Sequence, residues 1–130
     1  MVTPADTVDV PGIPLPDRRL RRHQRLTSTA DFEATYAQGK SCAARTLVMW
    51  LHHGPGASLR LGVVASRVIG NAIKRARAKR RLREAWRLNR NRFHGEVDVV
   101  LVARRSILTA SWQDVNDDLI KLARKAKMIE

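Results

Sequence analysis

Leu61-Gly-Val-Val-Ala-Ser-Arg-Val-Ile-Gly-Asn-Ala-Ile-Lys-Arg-Ala-Arg-Ala-Lys-Arg-Arg-Leu-Arg-Glu-Ala-Trp-Arg87 passes in one stretch from a strand pattern to a long basic helix. At its start Leu59, Leu61, Val63 and Ala65 alternate with Arg60, Gly62, Val64 and Ser66, the period of two of an extended strand. One face is apolar and the other small or polar, so the second can accept a ligand. Beyond the turn at Gly70-Asn71 the period becomes helical. At about 100° per residue, Ala78, Leu82, Ala85 and Trp86 fall on one side. Arg77, Arg80, Arg83 and Arg87 fall on the other, flanked by Lys74, Lys79 and Arg81, with Ala76 among them. Between Lys74 and Arg87 eight cationic side chains face one carboxylate, Glu84. Like charges three or four residues apart on a helix repel, and a merely solvated face would intersperse acids among the bases. A helix with one packing face and one arginine face suits phosphate contact. Guanidinium groups grip phosphate as a fork, and an alanine among them lets the backbone approach.

The whole chain carries the same sign. Over 130 residues, 25 Lys+Arg oppose 12 Asp+Glu, for a formal net charge of +13, while 44% of residues are hydrophobic. That length supports one domain with a real core, and a folded basic domain calls for a nucleic-acid partner. A membrane is the weaker competitor, because no apolar run approaches the roughly 18 residues of a spanning helix. The opening Met-Val-Thr-Pro-Ala-Asp lacks a basic segment followed by an apolar one, so no signal peptide is expected. The single cysteine, Cys42, cannot form an internal disulfide; it reads as a small strand residue in a cytoplasmic protein.

Pro4, Pro11, Pro14 and Pro16, with Asp6, Asp9 and Asp17, mark residues 1–19 as a flexible arm, leaving 20–127 as the folded domain. Arg18-Arg-Leu-Arg-Arg-His-Gln-Arg25 is its charged entry. Ser28-Thr-Ala-Asp31 can cap a helix of about ten residues that carries Phe32 and Tyr36 and stops at Gly39. Thr46–Leu51 and Leu59–Ala65 read as strands, and His52-His-Gly-Pro-Gly56 between them suits a hairpin loop with His52-His53 at its tip. Val97–Ala103 reads as a mostly buried strand. Ser111-Trp-Gln-Asp114 caps a last helix with Val115, Leu119, Leu122 and Ala126 on one stripe. Trp50, Trp86 and Trp112 are expected in the core. The result is an α+β, single-domain chain of order α-β-β-(β)-α-β-α, the bracketed strand optional.

The stretch from Leu61 to Arg87 resembles the signature of the bacterial ribonuclease P protein component, in which a Gly-hydrophobic strand and a small or basic turn lead to Gly-Asn-Ala and an Arg-Asn-Arg-x-x-Lys-Arg-x-x-Arg-Glu type of helix. Arg25–Lys40 is similar to that family's first helix and Asp98–Arg104 to its late strand, so the resemblance covers roughly residues 20 to 125. It implies an α/β sandwich of the ribosomal protein S5 domain 2-like kind, with a left-handed β-α-β crossover where the general rule gives a right-handed one. It also implies a subunit of a ribonucleoprotein endoribonuclease, in which a metal-dependent RNA removes the 5′ leader of precursor tRNA and the protein alone is not catalytic. The protein would bind the RNA subunit through Arg67, Lys74, Arg75, Arg77, Lys79, Arg80, Arg81, Arg83 and Arg87, with Gly70 and Asn71 forming the turn and helix start. It would hold the leader in a cleft of Phe32, Tyr36, Val64 and Ser66. Phe32 and Tyr36, one turn apart, could stack on unpaired bases or anchor the first helix to the core. Two departures stand out. Ala76 replaces the family's central Asn, removing any hydrogen bond of that amide, and Arg67-Val68 stands where many members have two lysines.

No bound cofactor is expected on the protein alone; Mg2+ is expected in the holoenzyme, and any protein-bound metal site is unknown. The partners implied are the RNA subunit and precursor tRNA, with no membrane and no obligate protein partner. No carboxylate cluster supplies a two-metal nuclease site, and His23, His52, His53 and His94 lack ligand spacing. A ribosomal or other structural RNA-binding protein is the alternative that size and charge equally allow. A DNA reader is disfavoured, since few Asn or Gln line the basic face and no helix-turn-helix spacing appears.

Overall fold

The structure, a computed structural model, describes residues 20–129. The arm expected over 1–19 lies outside the described residues. The elements are α1 (Thr29–Gln38), β1 (Lys40–Ala43), β2 (Leu47–His53), β3 (Leu61–Val64), α2 (Ala72–Asn89), β4 (Val97–Ala103) and α3 (Trp112–Lys125). This is the expected α+β order, with the additional strand, β1, standing before the two strands read from the sequence rather than after them. Each helix starts where a side chain can satisfy an orphan amide. Ser28 Oγ accepts from the Asp31 N–H at 3.1 Å, Asn71 Oδ1 from Lys74 at 2.9 Å, and Ser111 Oγ from Asp114 at 3.0 Å. At the end of α1, Gly39 turns the chain at φ 68, a left-handed conformation suited to glycine.

The expected hairpin between β2 and β3 does not form. Sheet order is β1-β2-β4-β3, so the last strand in sequence is central: antiparallel to β2 from Leu47↔Ala103 to His53↔Val97, and parallel to β3 from Leu61↔Val99 to Val64↔Val102. The physical reason lies in β4 itself. Every residue of Val97–Ala103 except Val102 is buried, so this strand is satisfied only with neighbours at both edges and helices on both faces. The tight hairpin is instead β1–β2, closed by Ala44 N–H on the Leu47 carbonyl at 2.9 Å. His52 and His53 are not a loop tip but the end of β2, opposite Asp98 and Val97. β3 begins at Leu61 rather than Leu59, because Leu59 takes a left-handed φ of 60 that interrupts the extended chain.

Leu47, Met49 and Leu51 of β2 and Val97, Val99, Leu101 and Ala103 of β4 point to one face of the sheet. There they meet Ala78, Leu82, Ala85 and Trp86 of α2 and Val115, Leu119, Leu122 and Ala123 of α3. The basic helix thus packs through the four residues its periodicity selects. Burial of each large apolar side chain contributes about 1.5–3 kcal/mol. Asn89 Nδ2 donates to Asn116 Oδ1 at 2.7 Å, joining α2 to α3 inside the core. Of the three tryptophans expected there, Trp86 is fully buried, whereas Trp50 and Trp112 are half-buried. Helix α1 covers the opposite face of β2 and β4. Near the start of that helix Asp98, 1% exposed, accepts from the Ser58 and Arg60 amides at 3.1 and 2.9 Å and from the Arg60 guanidinium at 2.8 Å. Arg60 also reaches Asp31 of α1 at 3.8 Å.

Candidate nucleic-acid interface

Helix α2 crosses from β3 to its parallel neighbour β4, so its inner face is fixed by the core and its outer face must look away. Lys74, Arg77, Arg80 and Arg83 are exposed along that outer face, with Ala76 bare among them. None of those four cations has a partner among the described residues, and such a row is free to meet phosphates. The remaining candidates are half-buried except Arg67, which is exposed in the turn before the helix. Arg75 Nη1 donates to the Gly70 carbonyl at 3.0 Å and so braces the turn. Arg87 pairs with Glu84 at 2.6 Å. Arg81 leans to the other side and donates to the Ile107 carbonyl in the 3-10 turn Arg105–Leu108. Burial, with Arg77 nearby, lowers its pKa. Of the basic residues read from the sequence, Arg81 therefore ties the helix to the body of the protein. Gly70 and Asn71 are where the sequence put them, at the turn and the N-cap.

A second surface lies across the sheet. Register places Trp50, Val100 and Gly62 in one row over three strands, and Val48, Val102 and Val64 in the next row on the same face. Helix α1 covers the first row. Tyr36, 37% exposed, meets Trp50 edge to face with ring centroids 5.1 Å apart. A Cβ built on Gly62 would come within 2.6 Å of the Phe32 ring, so only glycine lets that ring lie on the sheet. Phe32 is half-buried and performs the anchoring role as well as lining the edge. Tyr36 is the more available of the two, and burial raises its phenol pKa. The second row is left open, all three valines half-buried, which forms a shallow apolar floor beside the aromatics.

The floor leads to Ser66, exposed, and to a hollow shared by Ser66, Arg45, Val68, Arg104, Arg105 and Ser106. Arg104 Nη1 donates to the Ala44 carbonyl at 3.0 Å, and Arg45 pairs with Asp114 at 3.1 Å. These three arginines and the valines at 48 and 102 were missed from the sequence. They come from two distant stretches, 45–48 and 102–105, and only the pairing of β4 with β2 brings them together. Among the described residues no group of three or more His, Cys, Asp or Glu could hold a metal ion, and no helix is long and apolar enough to cross a membrane.

The family model for ribonuclease P matches residues 20–127. The chain belongs to the ribonuclease P protein family. The ribonuclease P protein component of Pelotomaculum thermopropionicum is 36% identical over 103 residues, covering 79% of this chain and 92% of that protein. The RNase P protein of Staphylococcus aureus superposes with a TM-score of 0.72 at 26% identity, over 82% of this chain and 98% of that one. That of Thermotoga maritima gives 0.68 at 28% identity, over 77% and 96%. The expected fold is therefore the fold of ribonuclease P proteins.

In this member of the ribonuclease P family the packing of α1 can be tested at Gly62. Gly62→Ala should be net destabilising by about 1 kcal/mol, because overpacking against Phe32 costs about 1–3 kcal/mol and relief of glycine's backbone entropy returns about 0.5–1 kcal/mol. Urea denaturation measures it; an unchanged midpoint would show that Phe32 is not seated on the sheet.

Proposed function

We propose that this chain, a protein subunit of ribonuclease P, docks on the RNA subunit through the outer face of α2 and guides the 5′ leader of precursor tRNA along the cleft beside α1. The observation that carries this reading is the separation of two surfaces on one small body. A cationic row at Lys74, Arg77, Arg80 and Arg83, without partners among the described residues, stands on one side, and an apolar floor rimmed by Tyr36, Ser66 and arginines on the other. A phosphate-only surface would bind RNA without contacting unpaired bases, whereas aromatic stacking beside an apolar floor suits a single strand whose sequence varies. Removal of the leader would be carried by the RNA with Mg2+. Among the described residues no group of three or more His, Cys, Asp or Glu stands together. The chain's part is to bind, orient and discriminate, in the cytoplasm where tRNA is made.

The purified chain added to a bacterial ribonuclease P RNA should restore cleavage of a precursor tRNA at low magnesium, where the RNA alone is slow. A chain that binds RNA yet gives no enhancement with its cognate RNA would be a structural RNA binder instead. The cleft has its own test. Tyr36→Ala should reduce the preference for precursor over mature tRNA by about 1–3 kcal/mol if one base stack is removed. Equal weakening for both tRNAs would sink the cleft assignment.

A further inference from the structure

The segment Leu20–Thr27 lies along the free edge of β3. Arg25 bridges to Leu61 in parallel fashion, and the Leu26 N–H donates to the Leu61 carbonyl at 2.8 Å. Between this segment and α2 runs a groove of two adjoining hollows that share Leu20, Arg25 and Arg83. The larger, of about 560 Å³, is walled by Arg25, Arg80, Arg83 and the Glu84–Arg87 pair, and its volume is that of a small-ligand site. The smaller adds Val63, half-buried, and the rims of Leu26 and Leu61. Arg25 Nη2 is held on the Leu20 carbonyl at 2.8 Å, which fixes its guanidinium along the groove. Arg80 and Arg83 are exposed and without a partner among the described residues.

A convex row of arginines needs only phosphates. A concave site with arginine walls and an apolar floor asks for something flat and apolar joined to an anion. We propose that this groove receives one unpaired nucleotide of the RNA subunit, its base on Leu20 and Val63 and its phosphate forked by Arg25 and Arg83. The proposal rests on the ribonuclease P reading and gives Leu20 and Arg25 roles that reading does not use. Glu84 in the wall disfavours a carboxylate-bearing peptide, yet it can accept from a base amino group or a ribose 2′-hydroxyl. The groove opens on the β3 edge beside α2, whereas the cleft is on the face covered by α1, so the nucleotide belongs to the RNA subunit and not to the leader.

The test uses the full chain and a bacterial ribonuclease P RNA transcript. Leu20→Ser should weaken binding about tenfold, the order expected when most of one leucine's apolar contact with a base is lost, with an unchanged salt slope, because no charge is removed. Arg25→Ala should weaken it and lower the slope by about one. A photocrosslinker on Leu20→Cys in a Cys42→Ala background should mark one unpaired nucleotide of the RNA. This readout stands even where the serine variant folds poorly. If the parent chain fails to bind the RNA, the ribonuclease P reading itself falls. If the parent binds but Leu20→Ser binds as tightly, the groove proposal alone is overturned. Crosslinks on paired RNA or on the tRNA leader, or displacement of the crosslink by an acidic peptide, overturn it equally.

Discussion

Replacing Arg80 and Arg83 together by alanine should weaken binding to ribonuclease P RNA about 10- to 100-fold at 0.15 M salt and lower the salt slope by about two, one for each phosphate that no longer meets a guanidinium. Both side chains are exposed and make no bond within the described protein. Their removal should leave thermal stability unchanged or slightly raised, since α2 sheds like-charge repulsion. Arg81→Ala should give the opposite result. That guanidinium holds the Ile107 carbonyl, so its removal should lower the melting temperature and barely touch the slope. Filter binding over a potassium chloride series, with a parallel melt, separates the two. An unaltered slope in the double variant would mean that α2 does not meet the RNA backbone.

The largest stability effect should come from Asp98→Ala, at about 1–3 kcal/mol, because it leaves two amides without their acceptor and takes the closest carboxylate from the partly exposed Arg60 guanidinium. Burial alone pushes the Asp98 carboxyl up. The hydrogen bonds from Arg60 and from the Ser58 and Arg60 amides outweigh it, and the group ends below the usual carboxylate range. A depressed folded pKa means that the stabilisation is fully present above the ordinary unfolded value of about 4 and is lost as pH falls through the lower folded one. Acid unfolding of Asp98→Asn should accordingly depend less on pH below about 4 than that of the parent. Parallel curves for the two proteins would show that Asp98 does not carry the acid sensitivity.

What the sequence made legible was local. Ser28, Asn71 and Ser111 announce their helices because a cap is a contact over three residues, and the two faces of α2 follow from its period alone. The strand partners were not legible. Thr46–Leu51 and Leu59–Ala65 flank a Gly-Pro-Gly loop and look like a hairpin, yet pairing is decided by a strand more than thirty residues further on, buried on both faces. The same long range hid half of the cleft. Val64 and Ser66 were visible as a small-residue face, but Val48, Val102, Arg45, Arg104 and Arg105 join them only once β4 separates β2 from β3. Asp98, one acid in a strand read from the sequence as mostly buried, gives no sign of the two amides and one guanidinium that surround it.

The central place of β4 also orders events during synthesis. Residues that emerge before Val97 include the β1–β2 hairpin, the β3 strand and the whole of α2, but not the strand that joins them. Until β4 leaves the ribosome, β2 has an unpaired edge and α2 has no finished core on which to lay Leu82 and Trp86. Parallel pairing across a helix is also slow compared with hairpin closure. The nascent chain therefore passes through a stage in which a strongly cationic helix and an open strand are presented together, the kind of intermediate most exposed to misassociation.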